Sequence, residues 1–397
     1  MKIIIAPDSF KGSLRSPEVC AALCRGLRSA LPEAELVALP LADGGEGTTR
    51  VLVAATGGTL HEVTVHGPLM DPVAALYGIT GDRTCAVIEM AAASGIELLA
   101  PERLDPLRAT TFGVGELVRA ILDTGVSTLL FGIGGSASVD GGAGMAQALG
   151  ARFFDAQGEL LPDGIGGGEL ERIAAVDFAA LDPRLRNINV KVGCDVTNPL
   201  LGPRGAAAVF GPQKGAGPAA VARLERNLAH WRGLLQAAGV TDAADRPGDG
   251  AAGGLGFALR VIYQGELASG AALVIEAVGL RRELRDADLL ITGEGRTDNQ
   301  TAGGKLCSVV AEAAAAAGVP AILASGAVSG DPDVLHRYFA AAFSIARGPG
   351  SLAGAMRDTA ANLELFGANL GALLRLGGGS AGAEGVRGMP VGELSSP

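Results

Sequence analysis

Apolar residues open the chain as a block, Ile3-Ile4-Ile5, and then fall into a spacing of four: Val19, Leu23, Leu27 and Leu31. A short unbroken apolar block predicts a buried strand, and the spacing of four predicts the buried stripe of a helix. Ser16 followed by Pro17 reads as the cap and first position of that helix. Leu36 to Leu41 gives a second strand, and a second helix runs from about Thr48 to Ala55, with Gly57-Gly58 as its stop. Strand, helix, strand, helix is the order of a parallel α/β sheet.

From residue 59 the pattern changes. Thr59–Val65 and Val73–Ile79 alternate as antiparallel strands around the turn Gly67-Pro68. Cys85–Met90, Thr128–Phe131 and Val190–Val192 read as further strands, with a helix near Thr111–Asp123. Pro218 opens a long helix whose Val221, Leu224, Leu228, Trp231 and Leu235 share one face. Near 286 the parallel pattern resumes. Asp288–Thr292 is a strand, about Gly303–Ala317 a helix, Ala321–Ser325 and Ala341–Ile345 strands, and the alanine-rich segment after Ser351 a last helix. The expected architecture is α/β with two domains. A doubly wound, Rossmann-like parallel-sheet domain is discontinuous (1–58 plus 286–376), a mixed α/β domain is inserted (59–285), and 377–397 is a flexible tail.

The 397 residues suffice for two cores, and 48% hydrophobic against 19% charged residues excludes a disordered chain. A net charge of −10 argues against nucleic acid or an anionic membrane as partner. The five cysteines are scattered, with no Cys-x-x-Cys and no zinc spacing, and no apolar run reaches membrane-spanning length. Residues 1–10 lack a signal-peptide pattern, so the expected compartment is the cytoplasm. A homodimer is compatible with the sequence, which does not fix the oligomeric state.

The chemistry sits in glycine-rich loops. Residues 132–145 hold six glycines in fourteen positions after the strand ending at Phe131 and before an apolar helix. Uncovered amides at a helix N-terminus favour an anion, with Gly134, Gly135 and Ser136 as donors. Asp140 in that loop either caps the helix or belongs to the ligand site. Similar loops occur at Asp43–Thr48, Gly211–Gly215, Gly250–Gly254 and Gly293–Asp298. Several such loops, mixing glycine with charged residues, suggest a polyanion and its metal gripped from many sides.

Polar groups also cluster where strands end. Ile3–Ile5 leads to Asp8, Ser9 and Lys11; Leu41 leads to Asp43, Gly44, Gly45 and Glu46; Cys85–Met90 carries Glu89, and Ser94 follows. Val190–Val192 leads to Asp195 and Asn198, which also fit an Asx turn before Pro199. Leu289–Ile291 leads to Gly293, Glu294, Arg296 and Asp298, with Lys305 beyond them near a helix start, where a lysine implies an anionic partner. Lys214 lies in a glycine/proline-rich loop, where it is either a ligand-binding cation or solvated. Phosphoryl transfer needs amides and cations around phosphates, carboxylates for magnesium and a base for the nucleophile, and this inventory supplies all three. No Gly-x4-Gly-Lys-Ser/Thr occurs. A loose dinucleotide fingerprint, Gly132, Gly134 and Ala137 with Asp155 following, keeps a nicotinamide-dependent oxidoreductase of small hydroxy acids open as an alternative, beside a non-catalytic sugar-acid-binding protein.

The stretches 6–13, 41–48, 88–95, 132–145, 194–199, 209–215 and 291–298, with Gly304-Lys305, resemble the bacterial glycerate kinases of type 1, over about residues 1–370. Two departures are visible: Val139 stands where relatives often have Asn, and Leu306-Cys307 replaces a common Ala-Pro. The resemblance implies ATP-dependent phosphorylation of D-glycerate with Mg²⁺, with 2-phosphoglycerate favoured over 3-phosphoglycerate. On chemical grounds Asp195 or Asp8 would orient or deprotonate the hydroxyl, and Lys11 and Lys305 would offset phosphoryl charge. Asp43, Asp298 and Glu294 would hold Mg²⁺, and the remaining residues named above would bind substrate or nucleotide.

Overall fold

The computed structural model describes residues 1–42, 44, 45, 47–240, 242, 244–298 and 305–378. The strands are β1 (Lys2–Ile5), β2 (Glu35–Ala38), β3 (Thr59–His66), β4 (Pro72–Ile79), β5 (Cys85–Glu89), β6 (Thr128–Gly132), β7 (Arg152–Phe154), β8 (Ala175–Asp177), β9 (Asn189–Gly193), β10 (Glu266–Ala268), β11 (Leu289–Glu294), β12 (Ala321–Ser325) and β13 (Ala341–Ser344). The helices are α1 (Ser16–Ala30), α2 (Thr48–Thr56), α3 (Ala91–Ser94), α4 (Phe112–Leu122), α5 (Ala143–Ala148), α6 (Ala206–Phe210), α7 (Pro218–Ala237), α8 (Ala251–Val261), α9 (Gly270–Ala277), α10 (Leu280–Glu283), α11 (Leu306–Ala316), α12 (Pro332–Leu335), α13 (Leu352–Arg357) and α14 (Thr359–Gly378).

The chain divides into two compact units. The first comprises 1–40, 283–302 and 311–397; the second comprises 41–282 and 303–310. Residues 41–58, which the sequence pattern groups with the first domain, fall in the second unit because α2 packs on β4 and β5.

The first unit carries a wholly parallel sheet in the order β13-β12-β11-β1-β2. Counted within the unit this is the order 2-1-3-4-5 of a doubly wound fold. The predicted stripe is its core: Val19, Leu23 and Leu27 are fully buried against Ile3, Ile5 and Ile291. Helices α1 and α14 approach so closely that a Cβ on Gly26 would stand 2.0 Å from the Glu364 carbonyl oxygen. Ser16 is the first helical residue, and its hydroxyl donates to the Pro7 carbonyl, while Glu18 accepts the Arg15 N–H. Strand β2 stops before the predicted Leu41, since Pro40 has no N–H to continue the ladder. The last helix is two, α13 and α14, and the second continues into the predicted tail as far as Gly378; residues 379–397 lie outside the described ones.

The second unit holds a six-stranded sheet in the order β10-β9-β6-β5-β4-β3. Its first four strands are parallel; β4 and β3 run antiparallel as the predicted hairpin. One side packs on α4 and α8 through Val114, Leu117, Ile121, Leu255 and Leu259. A second cluster forms around Trp231 of α7, which meets Phe153 of β7 edge to face. Among the described residues no helix is long and apolar enough to cross a membrane.

Candidate functional site

Parallel strands β5, β6 and β9 end in line: Glu89 stands beside Gly132, and Gly132 beside Gly193. Beyond those ends lies a cavity of about 280 Å³. Four of the five glycine-rich loops meet there, through Gly44 and Gly45, Gly134 to Ser136, Gln213 and Lys214, and Ala251 and Ala252. Cys194, Asp195 and Phe210 complete the wall. Glycine is required at the crossing of these loops. Gly44 has φ +86°, and a Cβ there would lie 2.8 Å from the Gly270 Cα; a Cβ on Gly132 would lie 2.7 Å from the Gly44 oxygen.

The loop after β6 differs from its sequence reading in one respect. Helix α5 is only six residues long and buried, and its N-terminus is already filled by the chain's own carboxylate. Asp140 is fully buried and accepts from Thr111 N and Oγ1, each 2.7 Å, and from Gly142 N and Gly144 N, each 3.2 Å. Burial pushes its pKa up against the pull of those four donors. Asp140 is therefore placed as an internal anchor and not on the cavity wall. An anion at this loop would meet the amides of 134–136 instead. Asp155, the acidic member of the loose dinucleotide fingerprint, accepts the amides of Gln157 and Glu159 in an exposed turn.

Lys214 is the cation of the cavity. It is 1% exposed, and its Nζ donates to Ser136 Oγ and to the Ser138 carbonyl, both at 2.6 Å. Among the described residues no carboxylate lies within ion-pair distance of it. Desolvation pulls its pKa down to about 7, with Asp140 opposing that shift from a distance. Of the two readings of this loop lysine the solvated one gives way, because the short turn closed by Gly215, at φ 98°, tucks the side chain inward. Asp195 is exposed to the cavity, and its Oδ1 accepts the Gly270 N–H of α9 at 3.0 Å.

Sequence reasoning did not single out Cys194 or Phe210 as cavity residues, and it reached Gln213, Ala251 and Ala252 only as members of the candidate loops 211–215 and 250–254. Ala252, Gly253 and Gly254 all have positive φ, at 52°, 67° and 92°, making a left-handed turn within α8. A Cβ on Gly253 would stand 2.1 Å from the Ser138 oxygen, and Gly253 O accepts the Gly141 N–H. Ala252 tolerates a conformation that costs about 1–3 kcal/mol because this interlock holds it. The signal available was the Gly250–Gly254 loop itself.

Other predicted residues do structural work. Glu89 caps α2, its oxygens accepting Gly47 N at 2.9 Å and Thr49 N at 2.7 Å. Glu89→Ala is expected to cost about 1–2 kcal/mol in denaturant unfolding; an unchanged midpoint would remove the cap from the stability of α2. Ser94 is buried, its hydroxyl donating to the Thr110 carbonyl, and Asn198 donates to the Arg204 carbonyl. Neither lines the cavity. Asp43 and Glu46 lie outside the described residues.

In the first unit, the loops after β1 and β11 lie side by side at the carboxyl ends of a parallel sheet. Asp8 N donates to the Gly293 carbonyl at 2.8 Å, and a Cβ on Gly295 would lie 3.4 Å from Lys11 N. These contacts set the Asp8–Lys11 segment beside Gly293, Glu294 and Gly295, with Arg296 and Asp298 following in the same loop. The Asp8 Oδ1 accepts the Ser9 N–H, and the Glu294 Oε1 accepts from Thr297 Oγ1 at 2.9 Å. Glu294 and Asp298 offer hard oxygen donors, a number that suits magnesium, which takes one or two carboxylates and completes its shell with phosphates and water. Among the described residues no group of three or more His, Cys, Asp or Glu is arranged for a metal. Lys305, which belongs to the second unit, is exposed just before α11, its carbonyl accepting from Ser308.

Comparison with known proteins adds the chemistry. The model of the "Glycerate kinase family" matches residues 3–375. The chain is 47% identical to glycerate kinase of Bacillus subtilis (strain 168) over 377 residues, 95% of this chain and 98% of that one. It is 45% identical to glycerate 2-kinase of Escherichia coli (strain K12) over 383 residues, 96% of this chain and 100% of that one. A crystal structure from Salmonella typhimurium LT2, provisionally assigned as glycerate kinase 2, superposes with a TM-score of 0.87 at 45% identity, covering 95% of this chain and 99% of its own.

Proposed function

We propose a course for the reaction from one premise: the chain belongs to the glycerate kinase family, and it is a kinase that transfers a phosphoryl group from ATP to glycerate. The observation that carries this is the family match over nearly the whole chain, at 45% and 47% identity to the two curated kinases. The acceptor is D-glycerate, and 2-phosphoglycerate is the favoured product. Its carboxylate is held in the cavity of the second unit by Lys214 and the amides of Gly134, Gly135 and Ser136. Asp195, on the same wall, takes the proton of the attacking hydroxyl. Lys11 offsets charge on the transferring phosphoryl group, an interaction that strengthens in the transition state, and Lys305 is a further cation for phosphate oxygens. Ser9, Gly293 and Arg296 bind phosphate oxygens. Glu294 and Asp298 would hold Mg²⁺, which would neutralise charge on the phosphates, and Asp43 is a further candidate carboxylate.

Phosphorus NMR of the chain incubated with ATP, Mg²⁺ and D-glycerate tests the reading. The expected result is a new phosphomonoester split by a single methine proton, the pattern of 2-phosphoglycerate. Splitting by a methylene pair would move the product to 3-phosphoglycerate. Absence of any phosphomonoester from folded protein would overturn the assignment of the acceptor.

A further inference from the structure

A lysine that is wholly desolvated, lines a cavity and has no carboxylate beside it among the described residues is an unfinished ion pair. Keeping such a charge without a counter-ion is costly, so the side chain either loses its proton or acquires an anion. Lys214 has settled between these. Two neutral acceptors, Ser136 Oγ and the Ser138 carbonyl, orient its Nζ. The charged group that acts on it is Asp140, whose own oxygens are taken by Thr111, Gly142 and Gly144.

Among the described residues the other elements around it bring no second charge into contact. The turn after β9 contributes Cys194 and Asp195 to the same cavity. Helix α6 and the Ala251-Ala252 turn contribute none. The Pro101–Arg103 turn, whose following residue Leu104 touches Gly215, has Glu102 and Arg103 exposed, with Arg103 paired to Asp71.

We propose that Lys214 is a proton-linked receptor for the anionic group of the ligand that enters this cavity: the anion is bound together with a proton, which completes the ion pair. This rests on the kinase reading above and specifies the state in which the site takes its ligand. The balance is simple. Neutral lysine, one proton from solvent and the anion give the ammonium–anion pair, with no bond to carbon or phosphorus made or broken. A bound anion favours the charged lysine and so raises its pKa. With desolvation pulling the free lysine's pKa down to about 7, the affinity is expected to be flat below that pH and to fall above it, by up to about tenfold per pH unit. A carboxylate and a phosphate share this chemistry, and the titrant distinguishes them.

Calorimetric titration of the full chain in two buffers of different ionisation enthalpy reads the proton directly. The titrants are D-glycerate alone, D-glycerate with saturating adenylyl imidodiphosphate, and that analogue alone. For one titrant, uptake approaching one proton at pH 8 and near none at pH 6 is expected, and it is lost in Lys214→Met. Uptake with D-glycerate assigns the site to the carboxylate; uptake with the analogue assigns it to phosphate. No uptake at pH 8 with any titrant in the wild-type chain overturns the proposal, whether or not the variant folds, and so does uptake that survives in a folded Lys214→Met. If phosphoglycerate forms without Lys214-dependent uptake, this inference falls and the kinase reading stands. If uptake is seen and no phosphoglycerate forms, the reverse holds.

Discussion

Asp195→Asn is expected to lower kcat by a factor of about 10²–10⁴, the range of a positioned general base. The melting temperature and the affinity for D-glycerate should stay close to those of the wild-type chain. Asparagine has the same shape and keeps an oxygen for the Gly270 N–H, so the contact that fixes the β9 turn against α9 survives. What it loses is the capacity to accept a proton. Steady-state kinetics with a thermal melt on the same sample separates the two. An unchanged kcat would move the proton acceptor elsewhere, with Asp8 as the next residue to replace.

Asp140→Ala is expected to destabilise the second unit by about 3–5 kcal/mol, because a buried hydrogen-bonded network loses its acceptor. Four donors from Thr111, Gly142 and Gly144 are left facing a void, at the point where the start of α4 is tied to the start of α5. Asp140→Asn fills the void yet turns a donor toward donors, and should recover only part of the loss. Urea unfolding followed by circular dichroism measures both. A midpoint for Asp140→Ala equal to the wild type would mean that the loop is anchored by Trp231, whose Nε1 donates to the Gly141 carbonyl, and not by the carboxylate.

Where the chain builds structure from its own period, the sequence was readable. The block Ile3–Ile5 and the stripe Val19, Leu23 and Leu27 are the core of the first unit, and the Leu289–Ile291 run is the strand beside them. Loop chemistry was readable as far as position: four glycine-rich loops far apart in sequence meet at one cavity. What the sequence does not encode locally is which partner a side chain finds across the fold. Glu89 reads as a ligand group at a strand end until α2, forty residues earlier, presents its amides to it. Lys214 reads as a loop lysine until Ser136, seventy-eight residues away, receives its ammonium. Ala252 gives no sign of a left-handed backbone, since nothing in an alanine favours one; the interlock of Gly253 with Ser138 imposes it.

The register that sets Ile3 beside Leu289 joins positions 286 residues apart. A ribosome adds about 5–20 residues per second, so the first strand waits on the order of 15–60 s for its inner neighbour to be synthesised. Meanwhile it has only β2 to pair with, and a lone two-stranded ribbon with an Ile-rich open edge is marginally stable and prone to association. Every strand of the six-stranded sheet lies between residues 59 and 268, so that sheet can close while the amino-terminal ribbon is still waiting. The nascent chain therefore carries an unpaired strand edge over one definite interval, from the emergence of Ala38 to that of Glu294.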